Sequence, residues 1–112
     1  MQLNIEERYS AVVFHLKGKL MGGPDAKNIS EKVHLLIDQG KKHIVMDMSG
    51  VHYMNSTGIG ILISTYTTLV NNGGDLKLAS MDDKIEGVLS ITKLMQVLTE
   101  YETVDEAIGS IN

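Results

Sequence analysis

The 112-residue chain reads as short runs of strand-like alternation exchanging with longer runs of helical period. Leu3 and Ile5, then Val12, Val13, Phe14 and Leu16, have the alternation and β-branched content of two strands, and Tyr9 and Ser10 leave room for a tight antiparallel connection. The pattern breaks after Gly18, and Gly22-Gly23-Pro24 is loop punctuation with proline placed where a helix begins. Ala26, Ile29, Val33, Leu36 and Ile37 then share one helical face, opposite Lys27, Glu31, Lys32 and Asp38, until Gly40 ends the run.

His43 to Met48 is nearly continuous in apolar side chains, the mark of a covered, central strand. A short polar loop is expected next. Helical period returns from Ser56 to Asn72 through Ile59, Leu62, Ile63, Tyr66, Leu69 and Val70, and stops at Asn72-Gly73-Gly74. Leu76 to Ala79 supplies another strand. Ser80 and Asp83 have the spacing of a capping box ahead of a helix through Ile85, Val88, Leu89 and Thr92. Val97 and Leu98 read as a short last strand, and Thr103 with Glu106 as a better capping box opening a helix through Val104, Ala107, Ile108 and Ile111. The order β-β-α-β-α-β-α-β-α predicts a single α/β domain over residues 1–112, with a mixed sheet of four to five strands and about four helices mainly on one face.

Composition narrows the function. With 43% hydrophobic and 21% charged residues the chain lies in the globular range, and a domain of this size folds without disulfides or a structural metal. The absence of cysteine excludes a thiolate metal site and agrees with a reducing compartment. Met1 to Tyr9 lacks the basic-then-apolar layout of a secretory leader, and the apolar stretch Ile59 to Ile63 is too short to cross a bilayer, so a cytoplasmic protein without membrane insertion is expected. Fourteen acidic side chains against ten basic ones give a net charge of −4, which opposes direct nucleic-acid binding.

Enzyme chemistry lacks its parts. No Walker sequence, dinucleotide fingerprint or nucleophile with a recognisable base is present, and no cofactor is expected. His15, His34, His43 and His52 have no metal-ligand spacing and read as structural or surface residues. Asp47 ends a strand where α/β enzymes hold functional carboxylates, yet no second carboxylate or base stands near it in sequence; a loop-anchoring role is expected. Met46 and Met48 read as core, whereas Met21 and Met54 flank the region of interest and are candidates for exposure.

That region is Asp47 to Gly60, where a strand, a loop and a helix start follow in quick succession. Asn55 and Ser56 are good N-cap residues, since a side-chain oxygen can accept from an otherwise unpaired first-turn N–H. Gly58 and Gly60 each cost roughly 1 kcal/mol against alanine inside a helix. Removing both side chains bares backbone that another molecule can approach closely, at a helix end that favours an anion.

Val51 to Ile61, reading Asn-Ser-Thr-Gly-Ile-Gly at its centre, resembles the signature of the STAS domain family, whose bacterial regulatory members have Asp-Ser-Ser/Thr-Gly-Leu/Ile-Gly after an Asp-Leu-Ser strand end. The resemblance extends to Gly18, to Asn72-Gly73-Gly74 and to Ile91-Thr92-Lys93-Leu94, and is closest to the anti-sigma factor antagonists. It implies a mixed sheet with helices packed to one side and no cofactor. It further implies phosphorylation of Ser56, with Thr57 a secondary candidate, and partner contact through Met21, Gly22, Asn55, Ser56, Thr57, Gly58, Ile59 and Gly60. The implied partners are an anti-sigma factor with serine kinase activity, which binds the unphosphorylated form and releases its sigma factor, and a serine phosphatase that reverses the modification. The chain departs from the family pattern at Asn55, which replaces Asp, and at Lys19 to Pro24, where the family has Glu-Leu-Asp. The competing expectation is a STAS scaffold subunit of a larger signalling or lipid-transport assembly, with Ser56 unmodified. A small nucleotide- or metabolite-binding domain is a further alternative.

Overall fold

A computed structural model describes residues 1–91 and 98–111. Strand β1 (Gln2–Arg8) runs antiparallel to β2 (Ala11–Leu20) across the Tyr9-Ser10 turn, as the alternation predicts. The chain then crosses through helix α1 (Pro24–Asp38) to β3 (His43–Met54), through α2 (Ser56–Asn71) to β4 (Asp75–Ala79), and through α3 (Asp83–Ile91) towards β5 (Thr99–Tyr101). Helix α4 (Val104–Gly109) closes the order. The five strands lie in the sheet in sequence order, β1-β2 antiparallel and the other three neighbouring pairs parallel, so β3 is central.

The sheet separates two cores. Phe14, Leu16, Ile44, Met46, Met48 and Leu78 face α1, α2 and α3, which contribute Ile29, Val33, Leu62, Leu69, Ile85 and Leu89. Ala11, Val13, Val45 and Ala79 face the other way, against Ala107 and Ile108 of α4. Among the described residues, three helices on one face and a short one on the other fit the expected layout. The Thr103 cap is also where it was expected, its side chain accepting from Glu106 N–H at 3.1 Å.

Four boundaries differ from the sequence reading. Gly18 does not end β2. It sits inside the strand at φ +110° between two register shifts that let β2 run on to Leu20 beside β3. Nor is Ser49 to Asn55 a loop: β3 continues to Met54, because Lys17 to Leu20 offers a strand for Gly50 to Met54 to pair with. Ser80 caps nothing. It takes φ +60° and donates its hydroxyl to the Glu102 carbonyl, while Asp82 supplies the cap of α3 by accepting from Ile85 N–H at 2.9 Å. The last strand is Thr99–Tyr101, one step beyond the expected Val97-Leu98; Val97, together with the expected helical Thr92 and the motif residues Lys93 and Leu94, lies outside the described residues.

Candidate functional site

The end of β3 delivers the chain directly into α2. Asn55, extended at φ −104° and ψ −176°, accepts from Gly58 N–H through its Oδ1 at 2.9 Å, and its carbonyl accepts from Ile59 N–H at 2.9 Å. Asn55 is therefore the cap, and Ser56, expected as a second capping candidate, is instead the first helical residue. With the cap supplied from the preceding position, the Ser56 side chain is not needed to close the helix end. Both Ser56 and Thr57 are exposed. The first turn contains no acidic residue, and by helix geometry the N–H groups of Ser56 and Thr57 have no intrahelical acceptor.

The expected contact residues do gather here, for unlike reasons. The loop after β2 meets the helix start at Gly22, which is buried with φ +97°; a Cβ there would overlap the Thr57 methyl, so glycine allows this approach. Met21 beside it is 45% exposed. Met54 is not: it is 6% exposed and packs in the main core, because it is the inward-facing end of β3. Ile59 is half-buried against the same core.

The two glycines of the motif also part company. A Cβ on Gly58 would overlap the Leu20 carbonyl oxygen and lie 2.8 Å from its carbon and 2.9 Å from Met54 Cγ. Gly58 is thus buried by the chain's own β2 end and does not bare backbone to a partner, contrary to the expectation for the pair. Gly60 is exposed, and a Cβ there would meet nothing within 4 Å.

A second polar constellation escaped the sequence reading. Parallel pairing of β2 with β3 sets His15 opposite Asp47, and Glu6 of β1 approaches from the other side. His15 Nδ1 lies 2.6 Å from Asp47 and Nε2 lies 2.9 Å from Glu6. An ionised carboxylate only accepts, so two such contacts require a proton on each ring nitrogen, that is, an imidazolium. Burial lowers the His15 pKa, but the hydrogen bonds to Glu6 and Asp47 together outweigh it and the net displacement is upward. Asp47 moves down: partial burial pushes it up, and the Ser49 N–H at 3.0 Å with His15 more than reverses that. Asp47, expected to anchor a loop, instead ties residues within the strand through Ser49 N–H, because β3 continues to Met54, and it has a base beside it that only the β2–β3 register reveals. In that protonated form the ring has no lone pair with which to accept a proton.

His43 pairs with Asp75 at 2.7 Å and His52 with Asp82 at 3.0 Å, matching their expected structural or surface roles. Among the described residues no group of three or more potential ligands surrounds a metal-sized space. No helix there is long and apolar enough to cross a membrane.

Comparison with known proteins agrees with the fold. The STAS domain family model matches residues 2–107. A Thermotoga maritima protein, named provisionally as an anti-sigma factor antagonist, is 28% identical over 75 residues, which are 67% of this chain and 66% of that protein, just under two-thirds of its length. The anti-sigma-B factor antagonist of Staphylococcus aureus is 28% identical over 102 residues, 88% of this chain and 92% of its own. Among solved structures, the anti-sigma factor antagonist SpoIIAA in its unphosphorylated form superposes with a TM-score of 0.77 at 21% identity, covering 98% of this chain and 97% of that one. The Bacillus SpoIIAA structure in the phosphorylated form gives 0.76 at 22%, covering 99% and 100%.

Proposed function

The chain belongs to the STAS domain family, and from that premise we propose that it is an anti-sigma factor antagonist whose docking is switched by phosphorylation of Ser56. The observation that carries this reading is the exposed Ser56 hydroxyl at the first position of α2, left free because Asn55 provides the cap. The names of the relatives support the antagonist role, and a neighbouring fold known both with and without phosphate supports a modification that leaves the domain intact.

The chemistry asks little of the domain. Phosphate adds about −1.5 to −2 charges to Ser56. The open N–H groups of the first turn and the helix dipole stabilise such a charge, by about 0.3–1 kcal/mol at an exposed terminus. In a packed interface the same group must lose its water, and each ~1.4 kcal/mol of that cost weakens binding tenfold. Unphosphorylated Ser56, with Met21, Gly22, Asn55, Thr57, Ile59 and Gly60 around it, forms the face that an anti-sigma factor with serine kinase activity occupies. Gly58 serves the face from beneath. The sigma factor is thereby released, and a serine phosphatase restores the competent form in the cytoplasm. The domain, residues 1–112, acts by being bound and not by catalysis.

Ser56→Ala and Ser56→Asp proteins test this against candidate serine kinases, with intact mass after incubation with ATP and pull-down of each kinase. One added phosphate at Ser56 with loss of kinase binding, reproduced by Ser56→Asp and not by Ser56→Ala, is the expected result. Equal binding of both variants refutes the switch. Stable incorporation into a larger complex without phosphorylation replaces it with a scaffold role.

A further inference from the structure

Of the two glycines in the motif, Gly60 is the one that neither the fold nor the helix cap accounts for. Unlike Gly58 it approaches no backbone, and a side chain at that position has open space, yet glycine there costs the helix roughly 1 kcal/mol against alanine. The open space is a groove between α1 and α2 of about 300 Å³. Its floor is apolar, made by Val33 and Ile61, which are 1% and 6% exposed. Around the floor stand Ser30 and His34 of α1 and Thr57, Ser64 and Thr68 of α2. Thr65 also lines it, with its hydroxyl already donated to the Ile61 carbonyl at 2.8 Å.

We propose that this groove is a binding site for a small uncharged molecule with an apolar body and a hydroxyl, carbonyl or N–H group at its edge. Its volume is at the lower end of ligand pockets, roughly 300–1,000 Å³. The lining contains no Lys, Arg, Asp or Glu. Apart from His34, no side chain of the lining could offer an ionic ligand a countercharge in place of its lost hydration, whereas a neutral one loses little. Hydroxyls and an imidazole offer both donors and acceptors, and suit groups on the ligand that do the same. Filling Gly60 with a side chain would cover the floor, so the residue that makes the helix weaker is also the one that keeps the groove open. The groove shares Thr57 and Gly60 with the proposed docking face, and its assignment does not rest on phosphorylation of Ser56.

Titration of the full chain with phenol, indole, benzoate and benzylamine, followed by two-dimensional amide NMR, tests the assignment. Phenol and indole should give saturable shifts at Ser30, His34, Gly60 and Ser64, with benzoate and benzylamine at least threefold weaker. Gly60→Leu should remove those shifts while the melting temperature is kept or raised. Ser64→Leu, which fills the groove from the next turn, provides the second variant should the first fail to fold. Shifts that do not saturate, equal response to the charged probes, or unchanged response in a folded filled variant would each overturn the proposal. So would concentration-dependent shifts without any probe that Gly60→Leu abolishes, since these assign the groove to a second copy of the chain.

Discussion

Substituting alanine at Gly58 and at Gly60 should move stability in opposite directions, although a single residue separates the two positions on the same helix. At either site alanine recovers roughly 1 kcal/mol of helix propensity. At Gly58 the new methyl overlaps the Leu20 carbonyl oxygen and lies 2.8 Å from Leu20 C and 2.9 Å from Met54 Cγ. Met54 can rotate away, but Leu20 cannot: it ends β2, pairs with Met54 in the sheet, and its carbonyl also accepts from Asn55 N–H at 3.4 Å. Overpacking costs typically about 1–3 kcal/mol, and an unyielding backbone atom puts this case at the upper end. The balance, about 3 lost against about 1 gained, is a net destabilisation of ~2 kcal/mol. For a domain of this size that lowers Tm by roughly 8 °C, at about 4 °C per kcal/mol. Gly60→Ala meets nothing within 4 Å and should raise Tm by up to about 4 °C. Scanning calorimetry with urea titration at constant m-value distinguishes the two. A Gly58→Ala protein as stable as the parent, or shifts of the same sign at both positions, would refute the account of why this helix begins where it does.

Other consequences follow from the same contacts. The His15 pKa is raised on folding, so its stabilisation is fully present below the unfolded value of about 6.5 and is lost as pH rises through the higher folded value. With the imidazole 36% exposed, solvent screening holds the effect to about 1 kcal/mol or less; Tm of the parent should fall more between pH 5.5 and 8.5 than that of His15→Gln, and parallel curves would remove the imidazolium assignment. Asp47 is lowered, so its contribution is present above its ordinary pKa of about 3.9 and fades as pH falls through the folded value, which places the best pH for this array between those limits. Asn55→Ala deletes the Oδ1 cap and should cost about 1 kcal/mol in urea unfolding, while Asn55→Asp keeps the cap and should match or exceed the parent, the added charge being worth roughly 0.3–1 kcal/mol at the helix start. Gly22→Ala combines a positive φ with overlap on Thr57 and should lower Tm and change the Thr57 amide resonance; an unperturbed spectrum would show that the loop does not rest on the helix start.

Elements set by local pattern were legible in the sequence, and those set by a distant partner were not. The Tyr9-Ser10 turn, the buried stripe of α1 and the Thr103 cap each depend on residues within a few positions of one another, and all are found in place. β3 runs past Met48 because β2 lies alongside it as far as Leu20, a pairing that no window around Ser49 contains. His15 and Asp47 become partners through the same parallel register, since strands joined by a helical crossover bring together residues far apart in the chain. The candidate site divides in the same way. Asn55 and Ser56 are readable because capping is local, and only their assignment within the first turn had to be corrected. The glycines are not readable as a pair: in sequence Gly58 and Gly60 are the same residue at the same kind of position, and what separates them is a carbonyl oxygen from the end of β2. That oxygen limits how closely a side chain at Gly58 would let the first turn of α2 lie against the end of β2, and Ser56 is carried on that turn. Exposure of the serine is thus tied to a glycine two positions on, and a substitution at Gly58 that lifts the helix would alter the presentation of Ser56 without touching it.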